Sequence, residues 1–163
     1  LLLRAALLQG TAAVDAWHTW RASVDFDQLE AGAFALLPLL YHNLHHHSIR
    51  DPWLVKCKGI YRRTWSQNQL SLQQLTALMH TLHDAQIKPL LLADTALLLA
   101  HYPDYSLRTL PHIDIATTPE PAARVLPLLQ QRVGNHSPQH NVDCPPAYTQ
   151  ARYTAFSTRR GGK

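Results

Sequence analysis

Two side chains two residues apart, His112 and Asp114, frame the chemistry open to this sequence. They lie in His112-Ile113-Asp114-Ile115-Ala116, a β-branched, alternating run that predicts a strand. Residues two apart on a strand project from one face, so the imidazole and the carboxylate are expected side by side. Upstream, Lys88-Pro89-Leu90-Leu91-Leu92 reads as a short buried strand. Ala93-Asp94 reads as a tight turn into a helix over residues 96–101, which Pro103 stops. Strand, turn, short helix, loop, strand is a layout that suits nucleotidyl transfer. There a turn backbone holds a triphosphate, while acidic side chains on the neighbouring strand hold metal ions between the phosphates.

The flanking residues have alternative uses. Asp94 or Thr95 can cap the short helix. Arg108, just ahead of the second strand, can fork onto phosphate oxygens or pair with Asp104 or Asp94. His42, His45, His46 and His47 include pairs at ligand-capable helical spacing, but no Glu or Cys joins them, and they read as a solvent-facing run. Lys56, Lys58, Arg62 and Arg63, interleaved with Tyr61 and Trp65, can touch RNA or phosphate. On a helix, however, 58, 62 and 65 share one side while 56 and 63 share another. A solvated flank around a buried Tyr/Trp seam is the favoured reading. Ser106, Ser137 and Cys144 lack the local setting of a nucleophile.

The elements that must hold these residues follow from patterning. The chain has 163 residues, 46% apolar and 16% charged, which permits a sizeable core and excludes wholesale disorder. Its net charge is +4, and the excess lies mostly in 88–163, with eight basic against five acidic side chains. That balance suits a phosphate-bearing partner without identifying one. Two cysteines exclude a disulfide framework or a four-Cys zinc site and fit a reduced, cytoplasmic setting. No run reaches the roughly 18 apolar residues of a membrane span.

Helical periodicity covers 1–8, 12–24 and a third segment that Asp25 or Asp27 can cap and Pro38 is expected to kink or break. Asp51-Pro52 starts a long helix that ends near Gln86, with Gly59 as its weak point. Thr118-Pro119-Glu120 opens a further helix to about Val133. A polar loop follows, then a third strand over 148–157. The reading is a helical region, 1–87, followed by an α/β region, 88–163. The first residue is not Met and the last five are Arg159-Arg160-Gly161-Gly162-Lys163, so both ends are expected to be cuts within something longer.

Several stretches carry a resemblance. Leu2-Leu3-Arg4-Ala5-Ala6-Leu7-Leu8 and Leu36-Leu37-Pro38-Leu39-Leu40-Tyr41-His42-Asn43-Leu44 come first. Tyr61-Arg62-Arg63-Thr64-Trp65 with Asn68, Tyr102-Pro103-Asp104, Leu107-Arg108 and Ile113-Asp114 follow. In order and spacing they resemble the uncharacterised bacterial nucleotidyltransferases with a DNA polymerase β-like core and a helical N-terminal region. The resemblance implies an α+β fold, with the helical region followed by a partial polymerase β-like core and its small mixed sheet. It implies attack by an acceptor hydroxyl, on a small molecule, protein or RNA, at the α-phosphate of a nucleoside triphosphate, with Mg²⁺ as cofactor. In that scheme Asp114 binds metal and is catalytic, and His112 takes the place of a partner carboxylate. Asp94, Thr95 and Arg108 face the nucleotide.

The departures fall at the chemistry. Where the family has Lys-Gly or a similar glycine turn this chain has Ala93-Asp94, and where it has Asp-x-Asp this chain has His112-Ile113-Asp114. A third carboxylate is expected beyond Lys163. The chain is therefore expected to be a degenerate member, impaired or inactive in transfer; the alternative is a non-catalytic nucleotide- or protein-binding module that keeps the fold.

Overall fold

A computed structural model describes residues 1–47, 49–118, 127, 139–140 and 149–154. They form an α+β fold in the order α1 (Leu2–Leu7), α2 (Thr11–Ser23), a 3-10 turn (Phe26–Gln28), α3 (Ala31–Leu44), α4 (Pro52–Asp84), β1 (Leu90–Leu92), α5 (Ala93–His101), β2 (His112–Thr117), β3 (Gln139–His140) and β4 (Thr149–Thr154). The helix expected from Thr118 to Val133 and the loop after Gly134 fall largely outside the described residues, as do Ser137, Cys144 and the tail Arg159, Arg160 and Lys163. Among the described residues no helix is long and apolar enough to cross a membrane.

The chain divides into two compact units. One comprises Leu1–Asn68 with Tyr102–Thr109, the other Gln69–His101 with Leu110–Lys163. The division falls inside α4 rather than after it at residue 87, and the cause is packing. The second half of α4 turns Leu75 and Leu82 into the same core as Ile113 and Ile115 of β2.

The helical unit is built on aromatic burial. Trp17 and Trp20 of α2, Trp53 of α4 and Phe26 meet edge to face or tilted, with centroids 4.9–6.4 Å apart. Such pairs add stability beyond the area they bury. Leu37, Leu40 and Leu44 of α3 are fully buried in the same cluster. Of the kink or break expected at Pro38, the break does not occur: that stripe explains why α3 continues through it. The proline deletes one backbone hydrogen bond, but the residues on both sides of it are anchored in the core. Asp25 caps the 3-10 turn, accepting from the Asp27 amide at 3.0 Å, and α3 begins only at Ala31.

Asp51 caps α4, its carboxylate accepting from the Trp53 amide at 2.8 Å. This is the start that Asp51-Pro52 predicts. The same carboxylate lies 3.4 Å from Arg21, whose guanidinium rests 3.6 Å from the centre of the Trp53 ring. Asn43 of α3 donates to the carbonyls of Ala5 and Leu8 at 2.9 and 2.7 Å. It thereby satisfies the carbonyl end of α1, which helical geometry leaves open. Two of the stretches that carried the resemblance are thus held together by one side chain.

In the strand unit α4 ends in a two-bond C-cap. The Ile87 amide donates to Leu82 and the Gln86 amide to His83, both at 2.8 Å, with Gln86 at φ +59°. This is a Schellman arrangement, with glutamine at the position glycine usually takes. Leu82 and Ile87 complete it by meeting in the core.

The sheet order is β1-β2-β4-β3, and every described pairing is antiparallel. The expected mixed sheet is therefore corrected. Leu92 pairs with Asp114, so β2 starts at the end of the sheet where β1 stops. The link between them leaves and returns to that same end, whereas a parallel pair needs a link that crosses to the other.

Candidate nucleotide site and a cleft beside it in sequence

The β1–α5–β2 segment holds four of the five residues singled out by sequence. Ile113 and Ile115 enter the core, and alternation therefore assigns His112 and Asp114 to the opposite face of β2. Asp114 stands opposite Leu92 on one side and opposite Arg152 in the register with β4 on the other. Its exposure is 2%, so the carboxylate is walled in. His112 is half-buried at the strand start, and its Nδ1 is buried with no hydrogen-bond partner among the described residues.

The turn after Leu92 has two distinctive features. Ala93 adopts φ +46°, in the left-handed region that glycine enters freely and other residues enter at a cost. The backbone thus takes a glycine-like conformation with an alanine in place. Thr95 is fully buried, and its hydroxyl donates to the His112 carbonyl at 3.4 Å and accepts from the Asp114 amide at 3.3 Å. That bridge fixes the first turn of α5 onto β2 at the residues that carry the two polar side chains. Asp94 is half-buried in the first turn of α5; because the helix already starts at Ala93, it lies inside the helix and not at the capping position.

Arg108 belongs to the helical unit. Its guanidinium lies over the Tyr102 ring, 5.9 Å from the centroid, with Nη1 3.5 Å from the Tyr102 hydroxyl. The loop that carries it is anchored by Asn68 of α4, a buried amide that donates to the carbonyls of Tyr105 and Arg108.

Two turns of α4 earlier, the Tyr61 hydroxyl donates to Asp104, whose other oxygen accepts from the Ser106 amide at 2.8 Å. Burial opposes ionisation of Asp104, but these hydrogen bonds outweigh it and hold the carboxyl below its usual range. Burial, with the Asp104 hydrogen bond next, pushes the Tyr61 phenol above its ordinary value. Tyr61, Arg62, Trp65 and Ser66 of α4, with Asp104 and Ser106 of the loop, line a cleft of about 460 Å³. Trp65 is 51% exposed, so the expected buried Tyr/Trp seam is corrected: the ring forms a wall of the cleft.

Sequence reading missed this cleft. Its signals were the 61/65 and 62/66 pairs at i, i+4 and the Asp104-x-Ser106 turn, whose amide-to-carboxylate bond spans two residues.

Residues 30–153 match a family described as uncharacterised nucleotidyltransferase. The chain belongs to that family. No curated protein and no solved structure matches it. The match spans β1, α5, β2 and most of β4, as well as the Asn68 loop and the cleft.

Membership poses the question of metal. Among the described residues no group of three His, Cys, Asp or Glu side chains is placed to hold an ion. Magnesium prefers several oxygen ligands in octahedral geometry, and an imidazole is a poor replacement for a bridging carboxylate. Asp114 with His112 therefore does not fit a magnesium pair. Among the described residues the cysteine is Cys57, whose thiol is pushed up to about 12 by burial, with the charge of Asp51 next.

Proposed function

We propose that this chain keeps the nucleotidyltransferase fold while its own transfer of nucleotides to a hydroxyl acceptor is weak or absent. The observation that carries this reading is the face of β2 beside Leu92, which offers one carboxylate, Asp114, at 2% exposure. Metal-assisted phosphoryl chemistry depends on several charged ligands that the metal and substrate can reach. The glycine-like turn at Ala93 and the Thr95 bridge support retention of the fold around that position. In the ancestral scheme Asp114 is the metal position, His112 replaces its partner, and Asp94, Thr95 and Arg108 border the nucleotide.

Incubation of the full chain with each α-labelled nucleoside triphosphate and Mg²⁺ or Mn²⁺ is expected to give no transfer above background. Turnover that Asp114→Ala abolishes would overturn this reading.

A second reading is a non-catalytic binding module acting in a reduced, cytoplasmic setting. The cleft beside Trp65 favours it. Calorimetry with ATP, GTP, CTP and UTP separates the two cases: saturable heat without turnover supports the binding module, and no heat with any of them leaves a protein-interaction role.

A further inference from the structure

We propose that the cleft between α4 and the Asp104–Ser106 turn binds a mononucleotide, with its base stacked on Trp65 and its phosphate on Arg62. The proposal deepens the second reading above and does not depend on chemistry at β2.

The first observation is the position of Trp65. Three of the four tryptophans are buried, at 0%, 7% and 8% exposure, and they pack on one another. The fourth stands 51% exposed on the wall of a cavity. An exposed indole face is a stacking platform for any base. The second observation is charge. Arg62 is exposed on the same wall and makes no ion pair among the described residues, which leaves its fork of donors for phosphate oxygens.

The third observation is the opposite wall. Asp104 is held ionised by Tyr61 and the Ser106 amide, and a carboxylate there accepts from a ribose hydroxyl or an exocyclic amine. Asn68 anchors the loop that carries it, so the wall is formed before a ligand arrives. A volume of about 460 Å³ falls in the range of small-molecule pockets and accommodates one nucleotide rather than a strand.

The test is calorimetry on the full chain with AMP, adenosine and ribose 5-phosphate. AMP is expected to bind, and each half-molecule to bind at least about tenfold more weakly. Trp65→Ala is expected to weaken AMP about tenfold or more, the loss of one base–aromatic stack. Trp65→Phe should recover much of that loss, and Arg62→Ala should weaken AMP while sparing adenosine.

AMP binding that survives Trp65→Ala would overturn the proposal by moving the nucleotide elsewhere. Equal affinity for ribose 5-phosphate would overturn the stacking, and the absence of saturable heat at millimolar AMP would overturn the site. None of these outcomes bears on the transfer assay, whose readout is label and not affinity.

Discussion

Asp104 and Asp114 are two carboxylates in one chain with opposite circumstances. Asp114 sits in the middle of a sheet at 2% exposure, where a motif draws attention to it. Asp104 sits in a loop, lines a cleft and has its charge stabilised by a phenol and an amide. The comparison separates position in a motif from access to a ligand. A side chain can keep its place in a pattern after its surroundings have closed over it. Another, with no pattern to announce it, can be the one a small molecule meets.

The contrast is most exposed to failure at Asn68. Asn68→Ala removes the amide that donates to the carbonyls of Tyr105 and Arg108, and the loss of two such bonds is expected to cost about 2–4 kcal/mol by urea unfolding. AMP affinity should fall with it, since the loop carries one wall of the cleft. Unchanged stability would mean that the Asp104 loop is held by other means, and the distinction drawn above would lose its structural basis.

The strand unit offers a smaller effect of the opposite sign. Gln86 and Ala93 both occupy the left-handed region. Gln86→Gly and Ala93→Gly are each expected to stabilise by about 1 kcal/mol, the relief of that conformation less the added flexibility of glycine. A fall in Tm for either variant would show that its backbone is not strained.

The smallest effect is a shift in pH dependence. Asp104 ionises at lower pH in the folded chain than in the unfolded one. Its contribution is present above the unfolded pKa and is lost as the pH falls through the folded pKa. Tyr61→Phe removes a donor to that carboxylate, so the folded pKa should rise toward the unfolded one, and the acid fall in stability should be shallower and end at a higher pH than in the unaltered chain. Superimposable acid limbs would show that the phenol does not hold the charge.

What the sequence made legible was local. Alternation in 112–116 identified β2 and Asp51-Pro52 marked the start of α4; the apolar run at 90–92 identified β1, but as a partly exposed edge strand and not the buried one expected. The polar pair on β2 follows from the same alternation. What stayed hidden depended on partners distant in the chain. Pro38 is tolerated because of a core assembled from α1, α2 and α4. The division inside α4 arises because Leu75 and Leu82 pack with Ile113 and Ile115. The cleft exists because Tyr61 and Asn68 capture a loop some forty residues further on. Periodicity reports which face of an element is apolar, not which remote segment covers it.

Asn43 bears on where this protein can be cut. The family match begins at residue 30, yet this side chain inside it reaches back to Ala5 and Leu8, and Leu37, Leu40 and Leu44 are shielded in a cluster that includes α1 and α2. A polypeptide started at the edge of the match would lay bare an oily stripe and strand an amide. The first 29 residues are thus a working part of the folded body, and expression trials that trim them should yield aggregate.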